Sequence, residues 1–592
     1  MYPEFDDPYW SLLAQVKRPS RYSGSEWRES KSALKLSDKT ISFCLAFPDV
    51  YEIGMSYYGF QLLENLLNSL PNVQADRVYC PWTDMEALLR KSSLPLVSVE
   101  NKIPLNLFDA IGFTLQHELS YTNILTMLDL SGIPLRSSGR DSGHPLIIGG
   151  GVGALVPVAV SPFFDILCVG DGEEILPELC SRISETKGEP RDKRLSVCSE
   201  IPGVYVPSVN RGKVRRVYSA KMPPIPNSLI VPSASAVHDR AAVELFRGCS
   251  RGCRFCQAGI LTRPVRERKA EEVIKGVKDL IARTGWEEAG LLSLASCDFT
   301  GIEHVLRSLS QYSGTEGNKI KVSLPSLRMD AFSVELAAGM EGIKRGSLTF
   351  APEAGTQRLR NVINKGISDE DIESSLEFVY SSPKGWDRIK LYFMMGLPTE
   401  TEEDLKGIVE TADMAMRIAR AHKKKRAQVS VSVSGFVPKA HTPFQWERQD
   451  SISELREKGR MIKGKNRNRN VTLNYHSPEQ TFLEGVFARA RGDSKLADAI
   501  EFAWRDGARF DNWTETFDLG RWNKAFERAQ IDPGLYTGKR DLSENFSWDF
   551  IDTGVTKDFL LRERERALSE KTTPDCRTKC GGCGLHEHGC DL

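Results

Sequence analysis

At 592 residues, with 40% hydrophobic and 27% charged side chains, the chain has ordinary globular composition and is long enough for several cores. Lys plus Arg and Asp plus Glu both number 79, so global charge argues neither for nor against nucleic acid. The opening MYPEFDDPYW has neither the basic nor the apolar region of a signal peptide, and thirteen cysteines then point to a reducing, cytoplasmic setting and metal ligation rather than disulfides.

After an arm over 1–40, residues 41–185 alternate apolar strand-like runs (ISFCLAF, AIGFTL, PLIIGGG, FDILCVG) with amphipathic helical ones. This pattern predicts a Rossmann-like parallel sheet covered on both faces, with ligands at the carboxyl ends of its strands. Those ends carry residues 48–54, 115–123, 149–153 and 170–173. Gly149, Gly150, Gly170 and Gly172 would let a bulky ligand approach the backbone, and the helix opening at Gly172 could face a phosphate. The uncharged run 145–164 has the length of a membrane helix, but its glycines and Pro157 and Pro162 favour strand plus loop, so no membrane partner is expected. Residues 186–240 read as a Pro-rich linker with a hairpin at NRGK.

Strand–helix alternation resumes over 241–470. Within AAVELFRGCSRGCRFCQAG, Cys249, Cys253 and Cys256 stand at Cys-x3-Cys-x2-Cys spacing after a short apolar strand. A [4Fe-4S] cube usually takes four cysteines, so three leave one iron open to a small molecule. Zinc normally takes paired knuckles and a fourth ligand, and no His or Cys follows nearby. Arg247, Arg251 and Arg254 add positive charge that would favour thiolates. Further strand ends present Ser296 and Asp298, then Pro325, Ser326 and Arg328, then Glu353 followed by Arg358, Arg360 and Lys365. The turn Gly396-Leu397-Pro398 comes next, and then residues 436–446.

The three-cysteine motif, with Phe255 before its last cysteine, resembles the signature of the radical S-adenosylmethionine (SAM) superfamily. The phrases that follow resemble the partial (β/α) TIM-type barrel of that superfamily. The resemblance implies a cluster whose open iron chelates S-adenosylmethionine and whose one-electron reduction yields a 5′-deoxyadenosyl radical. It further implies that Ser296 and Asp298 lie near the cofactor, that Arg328 and Glu353 contact its polar groups, and that Gly396, Leu397 and Pro398 line its adenosine. A reductant such as flavodoxin or ferredoxin would be the partner. Residues 41–185 resemble the cobalamin-binding domain found ahead of such barrels, although the Asp-x-His-x-x-Gly motif is missing. His117 and His144 lie outside any such context and are not assigned to cobalt.

Residues 471–570 read as a helical extension with Trp504, Phe510, Trp513 and Trp548 as core residues. His476, Arg489 and Arg491 could face the barrel mouth, with core capping the alternative. The Cys-rich tail over 571–592 carries Cys576, Cys580, Cys583 and Cys590 with His586 and His588, a donor set for a second [4Fe-4S] cluster or a zinc ion. The whole is an α/β multidomain chain. Its expected activity is modification of an unspecified substrate, with cobalamin-dependent methylation favoured over methylthiotransferase-like chemistry. A non-catalytic RNA-binding factor is the third reading, with AHKKKRA (421–427) and KGKNRNRN (463–470) as its footprint.

Overall fold

The computed structural model describes residues 8–592 except 29–33, 38, 228, 313–318, 325–327, 332–347, 382–385, 493–494, 586–589 and 591–592. Pro325, Ser326, His586 and His588 therefore lie outside the described residues.

The first unit is a sheet of β1 (Ile41–Phe47), β2 (Val73–Tyr79), β3 (Ala110–Thr114), β4 (Leu146–Gly150) and β5 (Ile166–Cys168), all parallel, in the order β2-β1-β3-β4-β5. A short β6 (Val204–Tyr205) adds antiparallel to β5. Every residue of β1 is buried, as expected of a strand covered on both faces. Helices Tyr58–Ser69 and Gly172–Glu185 pack one face through Phe60, Leu67, Ile175 and Leu179. The other face receives helix Tyr121–Leu130 together with helices Pro478–Ala488, Lys495–Arg505 and Leu519–Arg528. The C-terminal extension thus helps cover one face of the N-terminal sheet, with Trp504 and Trp522 buried in the shared core.

Among the described residues, the second unit holds seven parallel strands in two sheets. One contains β7 (Ala241–Glu244), β8 (Glu288–Leu292) and β9 (Lys321–Ser323). The other runs in order through β10 (Leu348–Glu353), β11 (Arg388–Met395), β12 (Gln428–Gly435) and β13 (Val471–Tyr475). Val243, Leu291, Val322, Phe350, Leu391, Val431 and Leu473 belong to one buried core, so both sheets enclose the same interior. Among the described residues no ladder joins β9 to β10.

Two boundaries differ from the sequence reading. β13 extends the barrel past residue 470, because the alternating VTLNY run buries Val471 and Leu473 beside β12. The segment 186–240 is more than a linker, since helix Arg191–Cys198 and β6 belong to the sheet domain. No hairpin forms at NRGK, where Val214–Arg215 pairs in parallel with the distant Ile551–Asp552. The run 145–164 divides into β4 and three short 3-10 turns. No helix among the described residues is long and apolar enough to cross a membrane.

Candidate active site at the cysteine loop

The cysteine loop leaves β7, and its turns depend on glycine. Gly248 (φ +87) runs so close to Pro264 that a Cβ would lie 2.6 Å from the Pro264 carbonyl, and Gly252 (φ +75) turns the chain between Cys249 and Cys253. Cys256 caps helix Gln257–Leu261, its sulfur accepting the Gly259 N–H at 3.2 Å. Burial raises the thiols of Cys249 and Cys256, the latter to about 12, and the neighbouring cysteines add to the effect. A bound cation or cluster would reverse that balance by drawing off the protons. Among the described residues only His117, Glu118 and Glu484 bring three donor atoms within 4.8 Å of one another. At least one pair of the Cys249, Cys253 and Cys256 sulfurs therefore stands more than 4.8 Å apart, beyond the roughly 3.8 Å between ligands of a tetrahedral zinc with Zn–S bonds of about 2.3 Å. In a cube each thiolate would bind a different iron.

The three arginines of the motif are ties rather than free charges. Arg247 pairs with Glu244 at 3.0 Å and with Glu173 of the sheet domain. Arg251 pairs with Asp298, Asp330 and Asp575. Arg254 is fully buried, with Glu563 at 3.1 Å and the Asn361 and Val362 carbonyls at 3.0 and 2.9 Å. The positive charge that acts on the thiols comes from Arg328 toward Cys249 and Lys365 toward Cys256.

The residues expected around S-adenosylmethionine all follow carboxyl ends of barrel strands, the end where α/β barrels place chemistry. Glu353 ends β10 at a register shift, with a left-handed φ of +70, and pairs with Lys365 at 3.2 Å. Arg328 donates to the Lys365 carbonyl at 2.7 Å and to Asp330 at 2.9 Å. Arg328, Lys365 and Glu353 therefore form one chain beside the thiols. Ser296 is fully buried, with its hydroxyl 2.9 Å from that of Ser293, and Asp298 is taken up by Arg251. Gly396 (φ +84) donates its N–H to the Glu400 carboxylate at 2.9 Å, and a Cβ there would stand 2.9 Å from Asp450. Leu397 joins the buried cluster against which Phe255 packs, and Pro398 is half-buried beside it. Arg358 and Arg360 turn away to Asp404 and Asp369.

At the sheet domain's carboxyl edge, a cavity of about 870 Å3, counting its open mouth, is lined by Gly112, Gln116, Gly150, Gly170 and Gly172 and reached by Arg247. Gly150 has open space before it, its nearest neighbour in a Cβ direction being Cys168 at 3.9 Å. Gly149 faces the other way, where a Cβ would meet Leu167 at 2.7 Å, so it is a packing residue. Gly170 is required because Val217 crosses it closely. Asp171 and Glu173 stand at the helix start beside Gly172 with Arg266 and Arg247, so a phosphate there is not favoured as the sequence suggests.

The two carboxyl edges meet. His441 donates from Nε2 to the Leu155 carbonyl at 2.9 Å, and Gln257 donates to the Ala440 carbonyl at 3.1 Å. Lys439 joins Glu118 of the sheet domain at 2.6 Å to Glu484 of the extension at 2.7 Å, and despite burial these carboxylates hold it protonated. No motif singles out Lys439 in the sequence; only its place just after β12 would have found it. His117 lies beside this group, 3.9 Å from Glu484, whereas His144 lies before β4 at the opposite edge. His476 stays near the mouth, exposed and 3.4 Å from Ser432. Arg489 is buried on the Glu447 carbonyl at 2.7 Å, and Arg491 donates to Leu535 at 3.0 Å. Both basic patches precede β12 and β13, at the barrel's amino end and away from the cysteines.

Comparison with known proteins gives the arrangement its relatives. Residues 243–412 match the model of the radical SAM superfamily, and 59–207 match that of the N-terminal part of radical SAM proteins. An uncharacterised protein of Methanocaldococcus jannaschii is 25% identical over 466 residues, covering 78% of this chain and 90% of that one. The ribosomal protein uS12 methylthiotransferase RimO of Treponema denticola is 24% identical over 196 residues, which is 28% of this chain and 40% of that enzyme. In structure the chain is similar to the radical S-adenosylmethionine methyltransferase TsrM from Kitasatospora setae, solved with cobalamin and a [4Fe-4S] cluster bound. The TM-score is 0.51 with 14% identity, over 83% of this chain and 99% of that one, a likeness of fold.

Proposed function

The chain belongs to the radical SAM superfamily, and from that premise we propose that it is a cobalamin-dependent methyl-transferring enzyme whose substrate enters between the two carboxyl edges. As an enzyme of that superfamily it uses a [4Fe-4S] cluster and S-adenosylmethionine, and it needs a one-electron reductant. When bound, the cluster and S-adenosylmethionine supply a carbon radical by one-electron reduction, and cobalamin supplies a transferable methyl group. In this reading Cys249, Cys253 and Cys256 hold the cluster. Arg328, aligned by the Lys365 carbonyl, takes the α-carboxylate of S-adenosylmethionine, and Glu353 takes its amino group or ribose hydroxyls. Leu397 closes the apolar side of the adenosine site beside Phe255.

The observation that carries cobalamin is the glycine-lined cavity at the sheet edge, on the side where Arg247 and His441 bind the sheet domain to the cysteine end of the barrel. The residues would admit a ring with no histidine from the protein, because Gly150 leaves open space at the cavity and His144 is on the wrong edge, while the Phe43 ring covers Gly112. The similarity of fold to TsrM, a methyltransferase described with cobalamin and a cluster, supports the same reading. Methylthiotransferase-like chemistry with a cysteine cluster in the N-terminal domain is disfavoured, since Cys44, Cys80 and Cys168 are separately buried in or beside β1, β2 and β5. RNA at the basic patches would sit at the amino end of the barrel, remote from the chemistry.

Anaerobic reconstitution with hydroxocobalamin, followed by desalting, tests the proposal. A near-stoichiometric corrin spectrum is expected to stay with the protein, and a colourless protein would refute cobalamin while leaving superfamily membership intact.

A further inference from the structure

Cys576, Cys580, Cys583 and Cys590 converge on one cavity, and Cys249 and Ser250 of the first ligand loop line the same cavity. We propose that these four thiolates hold a second [4Fe-4S] cluster, seated directly behind the first so that the two share the Cys249–Ser250 wall. The proposal is independent of cobalamin and of the substrate.

The tail is built onto the loop. The Cys576 N–H donates to the Ser250 carbonyl at 3.0 Å, the Ser250 hydroxyl donates to Asp575 at 2.8 Å, and Arg251 reaches Asp575 at 3.3 Å. On either side, Thr573 N–H donates to Asn364 at 2.8 Å, and Arg577 donates to the Asp298 carbonyl at 2.6 Å and pairs with Glu267 at 2.8 Å. These contacts fix the tail's approach from residue 573 to 577, just where its first cysteine stands. Gly582 (φ +67) and Gly584 (φ +107) then wrap the chain, and the Gly584 turn lies so close to residue 554 that a Cβ would meet the Gly554 carbonyl at 2.8 Å.

The kind of metal follows from spacing and surroundings. Among the described residues no three tail sulfurs lie within 4.8 Å of one another, wider than the roughly 3.8 Å of a tetrahedral zinc site. Four thiolates lining one cavity supply one cysteine for each iron of a cube. Phe559 and the fully buried Leu585 give the cavity an apolar wall that shields a cluster from water, while Cys580 remains exposed.

The full chain, reconstituted anaerobically with iron and sulfide, should carry about eight irons and about eight sulfides, as two cubes require. The double variant C580A/C583A should carry about four, as should C249A/C253A/C256A, whose tail is intact. After reduction, the triple variant should keep a cluster signal in its electron paramagnetic resonance spectrum that S-adenosylmethionine does not shift. The two signals should broaden each other in the wild-type chain and narrow in each variant. About four irons in the wild-type chain with one zinc lost from the tail variant would overturn the proposal. So would a triple variant that binds no iron, a result independent of how the tail substitutions affect folding. If the tail variant's remaining cluster fails to respond to S-adenosylmethionine, the assignment of the first site fails separately.

Discussion

Arg251 donates from Nε to Asp298 Oδ2 at 2.8 Å, tying the cysteine loop to the residue pair that follows the next barrel strand. Asp298 was expected beside S-adenosylmethionine, yet its carboxylate is committed to the protein and its side chain is only 5% exposed. In the proposed site it would serve the cofactor by holding the loop.

Asp298→Ala should therefore weaken cluster retention before it weakens cofactor binding. Losing a charge-assisted, half-buried pair costs about 1–3 kcal/mol, with Asp330 and Asp575 still available to Arg251. Iron per chain after desalting should fall, while molecules that keep iron should bind S-adenosylmethionine within about threefold of normal. Full iron with a large loss of affinity would return Asp298 to direct contact.

Glu353→Gln should give the opposite split. Its carboxylate pairs with Lys365, and its backbone is a left-handed strand end at the carboxyl edge of the barrel. Removing the charge should reduce S-adenosylmethionine affinity about tenfold or more, the worth of one charge-assisted hydrogen bond, with iron content unchanged. Equilibrium dialysis with labelled cofactor reads this directly.

Gly150→Leu tests the sheet-edge cavity. The first atom of the new side chain has room, since the nearest neighbour is 3.9 Å away, so the fold should survive. The rest of the side chain would occupy the cavity floor, and cobalamin retention should be lost while iron content and circular dichroism hold. Gly149→Leu should instead unfold the domain, because its Cβ already collides with Leu167.

The extension's grip on the sheet should depend on pH. Burial pushes the Asp511 carboxyl up to about 6, against the hydrogen bonds it accepts from Trp522 and Thr122. A raised carboxyl favours the folded state in its protonated form, so this contribution is complete below the ordinary carboxylate range and is lost as pH rises through about 6. Hydrogen exchange of helix Leu519–Arg528, corrected for intrinsic rates, should show stronger protection near pH 5 than near pH 8. In Asp511→Asn that difference should vanish.

What the sequence made legible is what is local in the chain. Cys249, Cys253 and Cys256 lie within eight positions, and their spacing alone announces a shared metal. The apolar runs of β1, β3, β4 and β5 carry their burial on their face, and the strand ends holding Arg328 and Glu353 follow from the alternation. The partners that give these residues their roles lie far along the chain. Arg254 meets Glu563 across 309 positions, Cys576 meets Ser250 across 326, and Thr122 meets Asp511 across 389. Charge alone makes Arg247, Arg251 and Arg254 look free, but apart from Glu244 their carboxylates, Glu173, Asp298, Asp330, Glu563 and Asp575, come from distant parts of the chain. Likewise NRGK looks like a hairpin because Val214 shows nothing of its true partner at Ile551. Gly149 and Gly150 are adjacent and identical in sequence, and only the pleat, which turns one toward Leu167 and the other toward the cavity, separates packing from binding.

The most direct measurement is 5′-deoxyadenosine released from S-adenosylmethionine when the reconstituted, full-length protein is reduced with dithionite. Release by the wild-type chain, abolished in Cys253→Ala with the tail cysteines intact, is the predicted result. A protein with its full iron content that releases none would contradict the assignment of Cys249, Cys253 and Cys256 as the site of reductive cleavage.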